Sequence, residues 1–177
     1  HFVPNFSFGH NMVKSLRQIT KKVLDVHLMI SPVKFYIKDF INSGSDIISF
    51  HPEADSNPYE IINMIKKSKC KAGIAIQPDV NIDSIKKYLD KIDMVIVMTV
   101  VPGFGGQKFL YNQVNKIKEL KYIKEKMNLK FEIEIDGGIN IDTNKICIDN
   151  GADVLVAGSY IYNSPKEKYK DLIDSIR

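Results

Sequence analysis

Six short apolar runs alternate with helical patterns along this chain, and that alternation restricts its fold more than any other feature. The runs lie at 23–30, 46–50, 71–77, 93–99, 131–136 and 153–157. Runs of this length, bounded by Gly, Pro or Asn, read as strands. Helical periods fill 11–22, 32–43, 58–67, 81–91, 112–127 and 141–150. Asn57-Pro58-Tyr59-Glu60 and Ser164-Pro165-Lys166-Glu167 read as capping boxes, and Gly44 and Gly151 as helix stops. A helix in every connection makes successive strands parallel. The fourth run, Met94-Val95-Ile96-Val97-Met98, is apolar throughout, as a strand covered on both faces requires.

Repeated βα units build either an open doubly wound sheet or a (β/α)8 barrel. The polar residues favour the barrel. Asp25, His27, His51, Gln77, Thr99, Asp136 and Ser159 all fall at or near strand ends. A barrel gathers those ends at one mouth, whereas an open sheet concentrates function at one switch point. The expected architecture is therefore a single α/β domain over residues 1–177, a (β/α)8 TIM barrel incomplete in this chain. Six strands are visible where eight close a barrel. Because the chain ends on a helix, the first strand, the first helix and most of the second strand are expected upstream of His1. His1–Asn5 would then be the loop after that second strand.

Bulk properties exclude several classes. A charge of +4 spread over Lys-rich helices, with only Arg17 and Arg177 as arginines, is not a nucleic-acid footprint. No apolar run approaches the length of a bilayer span, so no membrane partner is expected. Cys70 and Cys147 lack metal spacing and suit a reducing compartment; with no signal peptide, the cytoplasm is the expected location.

The densest chemistry is Phe131-Glu132-Ile133-Glu134-Ile135-Asp136-Gly137-Gly138. A strand ending in an acid and two glycines offers a carboxylate for proton transfer or metal binding, with bare backbone N–H groups behind it. The plain alternative is a turn with a solvated Asp, but the layout recurs. Gly103-Phe104-Gly105-Gly106, Gly137-Gly138 and Gly158-Ser159 follow the fourth, fifth and sixth strands. Shifted by two strands, the last two sites match the usual barrel phosphate position, and Ser159–Tyr162 suits the short extra helix there. Asp25 and His27, two apart, share one strand face. His27 and Asp136 could ligate a metal together, although two ligands are fewer than a site usually needs. Met29 and Met98 read as core that also suits the mouth. His10, His51 and Glu53 have too little context for a role.

These segments, H-F-V-P-N, D-V-H-L-M, F-H-P-E-A, M-T-V-V-P-G-F-G-G-Q-K-F, I-D-G-G-I-N and V-A-G-S, together resemble the ribulose-phosphate 3-epimerase family, collinearly from His1 to about Ile161. The P-G-F-G-G-Q-x-F loop is the specific element. Phosphate-binding barrels of the decarboxylase type carry D-x-K-x-x-D on an early strand; D-V-H-L-M here argues against them.

The resemblance implies a metal-dependent barrel that interconverts D-ribulose 5-phosphate and D-xylulose 5-phosphate through an enediolate. It implies one divalent metal (Zn, Fe, Mn or Co), with His27 and Asp136 as ligands and Asp136 as one of two acid–base carboxylates. His27, Met29, Met98, Gly103, Phe104, Gly105, Gly106, Gly137, Gly138, Gly158 and Ser159 are the implied substrate and phosphate contacts. The partner is a small phosphosugar, and self-association as a homo-oligomer is compatible with this reading. In the family, H-x-D-x-M-D-G precedes H-F-V-P-N and supplies two further ligands, including the second catalytic Asp. A non-catalytic phosphosugar-binding or pseudoenzyme partial barrel is the alternative expectation for a chain that starts at His1.

Overall fold

The structure is a computed structural model that describes residues 8–177; the H-F-V-P-N segment therefore lies outside the described residues. Six parallel strands form one sheet in sequence order. They are β1 (Asp25–Leu28), β2 (Ile47–Phe50), β3 (Lys71–Ile76), β4 (Met94–Met98), β5 (Glu132–Asp136) and β6 (Val154–Val156). Seven α-helices accompany them among the described residues: α1 (His10–Ile19), α2 (Ile37–Asn42), α3 (Pro58–Lys67), α4 (Val114–Lys126), α5 (Asn144–Asp149), α6 (Gly158–Tyr162) and α7 (Tyr169–Ser175). No helix among the described residues is long and apolar enough to cross a membrane.

Strand alternation splits the side chains into two layers. One parity faces the helices: Ile48, Phe50, Ile74, Ile76, Val95, Val97, Ile133 and Ile135 are buried against α3 and α4 residues such as Ile61, Ile65, Ile117 and Leu120. The other parity faces inward and is mixed. Ile47, Ala75, Met94, Ile96 and Met98 pack together there, beside buried Ser49 and Glu134. Gly73 makes room: a Cβ at that position would stand 2.1 Å from the Ser49 hydroxyl.

The sheet curls. Strands four places apart in a flat sheet are separated by roughly 19 Å, at about 4.8 Å per neighbour. Yet on β1 and β5 His27 Nδ1 lies 3.6 Å from Asp136 Oδ2. This in-order parallel sheet, closing on its own inner face, is the (β/α)8 barrel arrangement, with β1 and β6 as its edges among the described residues.

At the N-terminal ends of the strands one device occurs three times. Asp46, Asp93 and Asp153, each just before β2, β4 or β6, accept the backbone N–H of Leu24, Ala72 and Ile133 at 2.7–2.8 Å. Each also pairs with a cation from a helix: Arg17, Lys66 or Lys124. These aspartates tie neighbouring strands together through side-chain bonds at the starts of β2, β4 and β6.

Helix expectations needed more correction. The stretch 81–91 is two 3₁₀ turns, Ile82–Ser84 and Lys86–Tyr88, rather than one helix. The stretch 32–43 begins later than expected, with a 3₁₀ turn before α2. The Asn57 cap is present, with its side chain accepting from Glu60 N. The second capping box is not: no side-chain cap bond opens the 3₁₀ turn Lys166–Lys168 or α7.

Asp93→Ala should lower unfolding free energy by about 1–3 kcal/mol, because the part-buried Ala72 N–H loses its acceptor. Lys66→Met should cost only ~0–1 kcal/mol, since its pairing with Asp93 is largely exposed. Urea denaturation of both variants checks the ranking; equal losses would contradict it.

Candidate functional site

The C-terminal ends of the strands open onto a cavity of about 220 Å³. Met29, Met98, Gly103, Phe104, Gly105, Gly106, Asp136, Gly137, Gly138, Gly158 and Ser159 all line it. His27 is the one expected site residue outside this lining, and its ring reaches the cavity through Asp136.

Local bonding explains how Asp136 is presented. Thr99, just past β4, receives the turn after β5: its N–H and hydroxyl donate to Asp136 O at 2.9 and 3.1 Å, and the hydroxyl also donates to Gly137 O at 2.6 Å. Gly137 and Gly138 have φ of +122° and +67°, and a Cβ at Gly138 would meet the Phe109 backbone at 2.9 Å. Asn140 and Thr143 finish the turn through bonds to Gly138 O. The carboxylate therefore sits on a chain path that only glycines allow. Thr99, marked in the sequence as a strand-end polar residue, serves to hold that path.

Gly105 and Gly158 differ, although Gly103 and Gly106 near Gly105 also have positive φ. A Cβ added at Gly105 or at Gly158 would meet nothing within 4 Å, and neither has a positive φ. Open space, rather than conformation, is what glycine leaves at those positions. The Gly-rich loop is braced by Gln107, whose side-chain nitrogen donates to Val101 O at 2.6 Å and Phe104 O at 2.8 Å. Phe104 itself is exposed at the rim. Ser159 enters the first turn of α6, as expected for the short extra helix.

Two residues of the interior were given no role from sequence. His51, just past β2 and fully buried, places Nε2 at 3.0 Å from His27 Nε2. Burial, and then the neighbouring His27, push its pKa down to about 3. Glu134, one inward step below Asp136, is 3 % exposed and faces the Asp25 carboxyl. Burial and the facing Asp25 push its pKa up to about 9, and desolvation likewise raises Asp25, even though that residue lies on β1, an edge strand among the described residues. The missed signal was parity: Glu134 is two residues before Asp136, so it shares the inward face.

The donor set suits a divalent cation in part. An imidazole nitrogen and a carboxylate oxygen 3.6 Å apart are close to the roughly 3.4 Å between two ligands of a tetrahedral ion bound at about 2.0–2.2 Å. Among the described residues no group of three His, Cys, Asp or Glu side chains is arranged to hold a metal. His27 and Asp136 are thus two donors of a larger set.

Comparison with known proteins follows the same line. The sequence model described as the ribulose-phosphate 3 epimerase family matches residues 1–162. Ribulose-phosphate 3-epimerase of Bacillus subtilis is 42 % identical over 95 % of this chain and 78 % of its own length. The Escherichia coli K12 enzyme of the same name is 37 % identical over 100 % of this chain and 78 % of its own length. Among solved structures, KGPDC from Streptococcus mutans superposes with a TM-score of 0.70 at 20 % identity, over 94 % of this chain and 78 % of that one; at that identity the likeness concerns the fold alone.

Glu134 generates a pH prediction. An unfolded Glu loses its proton near 4.5, whereas the folded one keeps it to about 9. The folded state holds the extra proton across that interval, so this group's contribution to stability falls as pH rises through it. In metal-free protein, Glu134→Gln should flatten that decline and raise the melting temperature most near pH 8–9. Melting curves across this range that overlay wild type would count against it.

Proposed function

The chain belongs to the ribulose-phosphate 3-epimerase family, and on that footing we propose that it interconverts D-ribulose 5-phosphate and D-xylulose 5-phosphate by moving a proton at C3. The observation that carries the proposal is the single cavity joining Asp136, two methionines and three glycine sites.

A proton next to a ketone is weakly acidic, so its removal needs stabilisation of the negative charge that develops on oxygen. One divalent metal held by His27 and Asp136, completed by ligands of the family's H-x-D-x-M-D-G segment, would supply that stabilisation as a Lewis acid. Asp136 takes the proton on one face of C3 or returns it there. Inversion also requires a carrier on the opposite face, which the family's other catalytic Asp, a metal ligand of the same segment, would provide. Met29 and Met98 border the reacting carbons with polarisable apolar surface and keep water from quenching the intermediate.

The phosphate end rests on backbone. Gly105-Gly106, Gly137-Gly138 and Gly158-Ser159 border one side of the cavity, where N–H groups can approach an anion without side chains between. The scarcity of arginine suits such a cradle. The reading implies a small phosphosugar partner rather than a polymer.

Two outcomes test this. Asp136→Asn should cut conversion of ribulose 5-phosphate to xylulose 5-phosphate by about 10²–10⁴-fold, the usual cost of one positioned acid or base, while phosphosugar binding persists in calorimetry. Full turnover would overturn the role of Asp136. Gly158→Val should melt like wild type, since its Cβ has open space, yet bind phosphosugar at least ~10-fold more weakly, the factor that corresponds to about 1.4 kcal/mol. Unchanged binding would remove Gly158 from the cradle. Gly138→Val is the poorer probe, because the Phe109 backbone and the positive φ disturb the fold itself.

A further inference from the structure

His27 has two ring nitrogens with different neighbours. Nδ1 faces Asp136 Oδ2 at 3.6 Å. Nε2 faces His51 Nε2 at 3.0 Å, with ring centroids 5.0 Å apart and the planes tilted by 32°. We propose that His51 is a positioning residue for the metal-binding edge of His27: it accepts the Nε2–H of His27 and so leaves the Nδ1 lone pair aimed at the cation shared with Asp136. The inference rests on the divalent-metal reading above and assigns within it a residue that contacts neither substrate nor metal.

Valence fixes the direction of the bond. A neutral imidazole carries one N–H, and the nitrogen that ligates a cation cannot be the one that carries it. Ligation through Nδ1, the nitrogen beside Asp136, therefore puts the proton on Nε2. That proton points at His51 Nε2, which must accept, so the proton of His51 sits on its own Nδ1. A ligating histidine commonly has its ring orientation and tautomer set by such an outer partner.

The fold holds His51 for this task. Ser49 pairs with His27 in the β1–β2 register, and His51 lies two residues beyond Ser49 on the same inward face. Pro52 follows immediately and restricts His51 to extended backbone; its φ and ψ are −80° and 129°. The His51 carbonyl accepts the Ala54 N–H at 2.9 Å, closing the Pro52–Ala54 turn. The ring is fully buried, so bulk water does not substitute for it. Phe-His-Pro-Glu-Ala thus places an acceptor behind the ligand rather than another group in the cavity.

The test compares His51→Gln, which keeps an acceptor oxygen, with His51→Leu, which keeps bulk without one, and with His27→Ala. Zn²⁺ and Mn²⁺ affinities of the full chain are measured by calorimetry. In Zn²⁺-loaded protein, long-range ¹H–¹⁵N NMR reads which nitrogen of His27 carries hydrogen. The expectation is a loss of about 10–100-fold in metal affinity for His51→Leu, the usual cost of removing an outer-shell partner, and a much smaller loss for His51→Gln. The wild-type His27 should carry its proton on Nε2. Wild-type affinity in folded His51→Leu, or a loss in His51→Gln as large as in His51→Leu, would overturn the inference. So would a proton on His27 Nδ1, a readout that needs no variant and stands even where His51→Leu unfolds. If His27→Ala binds metal as wild type does, the metal reading and this inference fall together. If His27→Ala loses the metal while His51→Leu keeps it, only this inference falls.

Discussion

The curl of the sheet is the constraint on which the site depends. β1 and β5 are four strands apart, yet the side chains of His27 and Asp136 approach to 3.6 Å. That contact exists only if each strand is rotated from the last so that the inner face closes on itself. Helix-facing residues are almost uniformly Ile, Val, Leu and Phe, so burying them holds the outer layer without demanding a particular curvature. Curvature is set from within, where Gly73 and Ala75 on β3 leave room for Ser49 and Met94. The aspartate stitches at the other end of the strands then lock neighbouring segments in register.

Most of this architecture was legible in the sequence. Parallel order followed from helices in every connection, and the six strands fall within the expected runs. The mouth residues were legible because strand-end chemistry recurs: Asp136 with its glycines, Gly103–Gly106 and Gly158-Ser159 converge on one cavity. What failed was local helix geometry. The 81–91 stretch has a helical period but carries Asn81, whose side chain bonds Asp83 N, and the segment closes in i→i+3 turns instead. At 164–167 the residue types of a capping box are present without its bonds, since tertiary packing decides whether Ser and Glu side chains turn back to the helix.

His51 and Glu134 were illegible for a different reason. Glu134 lies one inward position from Asp136, which sequence reasoning did select, and His51 was marked only as a strand-end polar residue; the role of each depends on a partner more than twenty residues distant, Asp25 across the barrel for Glu134 and His27 on the adjoining strand for His51. A pattern along one strand shows which face a side chain takes, not what stands opposite. The glycines carry the same lesson. Gly137 and Gly138 look like Gly158 in composition, yet the first two are required by backbone conformation and by Val100 and Phe109, while Gly158 borders empty space. Only the last kind reports directly on a ligand.

Burial along β5 sorts its two inward carboxyls into different chemistry. Glu134 is almost fully enclosed, and desolvation with Asp25 opposite keeps it protonated well above the ordinary range. Two residues on, Asp136 has a more open side chain, at 27 % exposure, where solvent or a cation can reach it. The protonated Glu134 matters to its neighbour: a second full charge one step below would repel a charge on Asp136, and the proton on Glu134 removes that repulsion. The two histidines are both enclosed, His51 fully buried and neutral and His27 beside it with its side chain 14 % exposed. A barrel interior graded from dry to wet along β5 thus gives two carboxyls set two apart on one strand different surroundings. The gradient comes from the fold, and the sequence need only place the pairs.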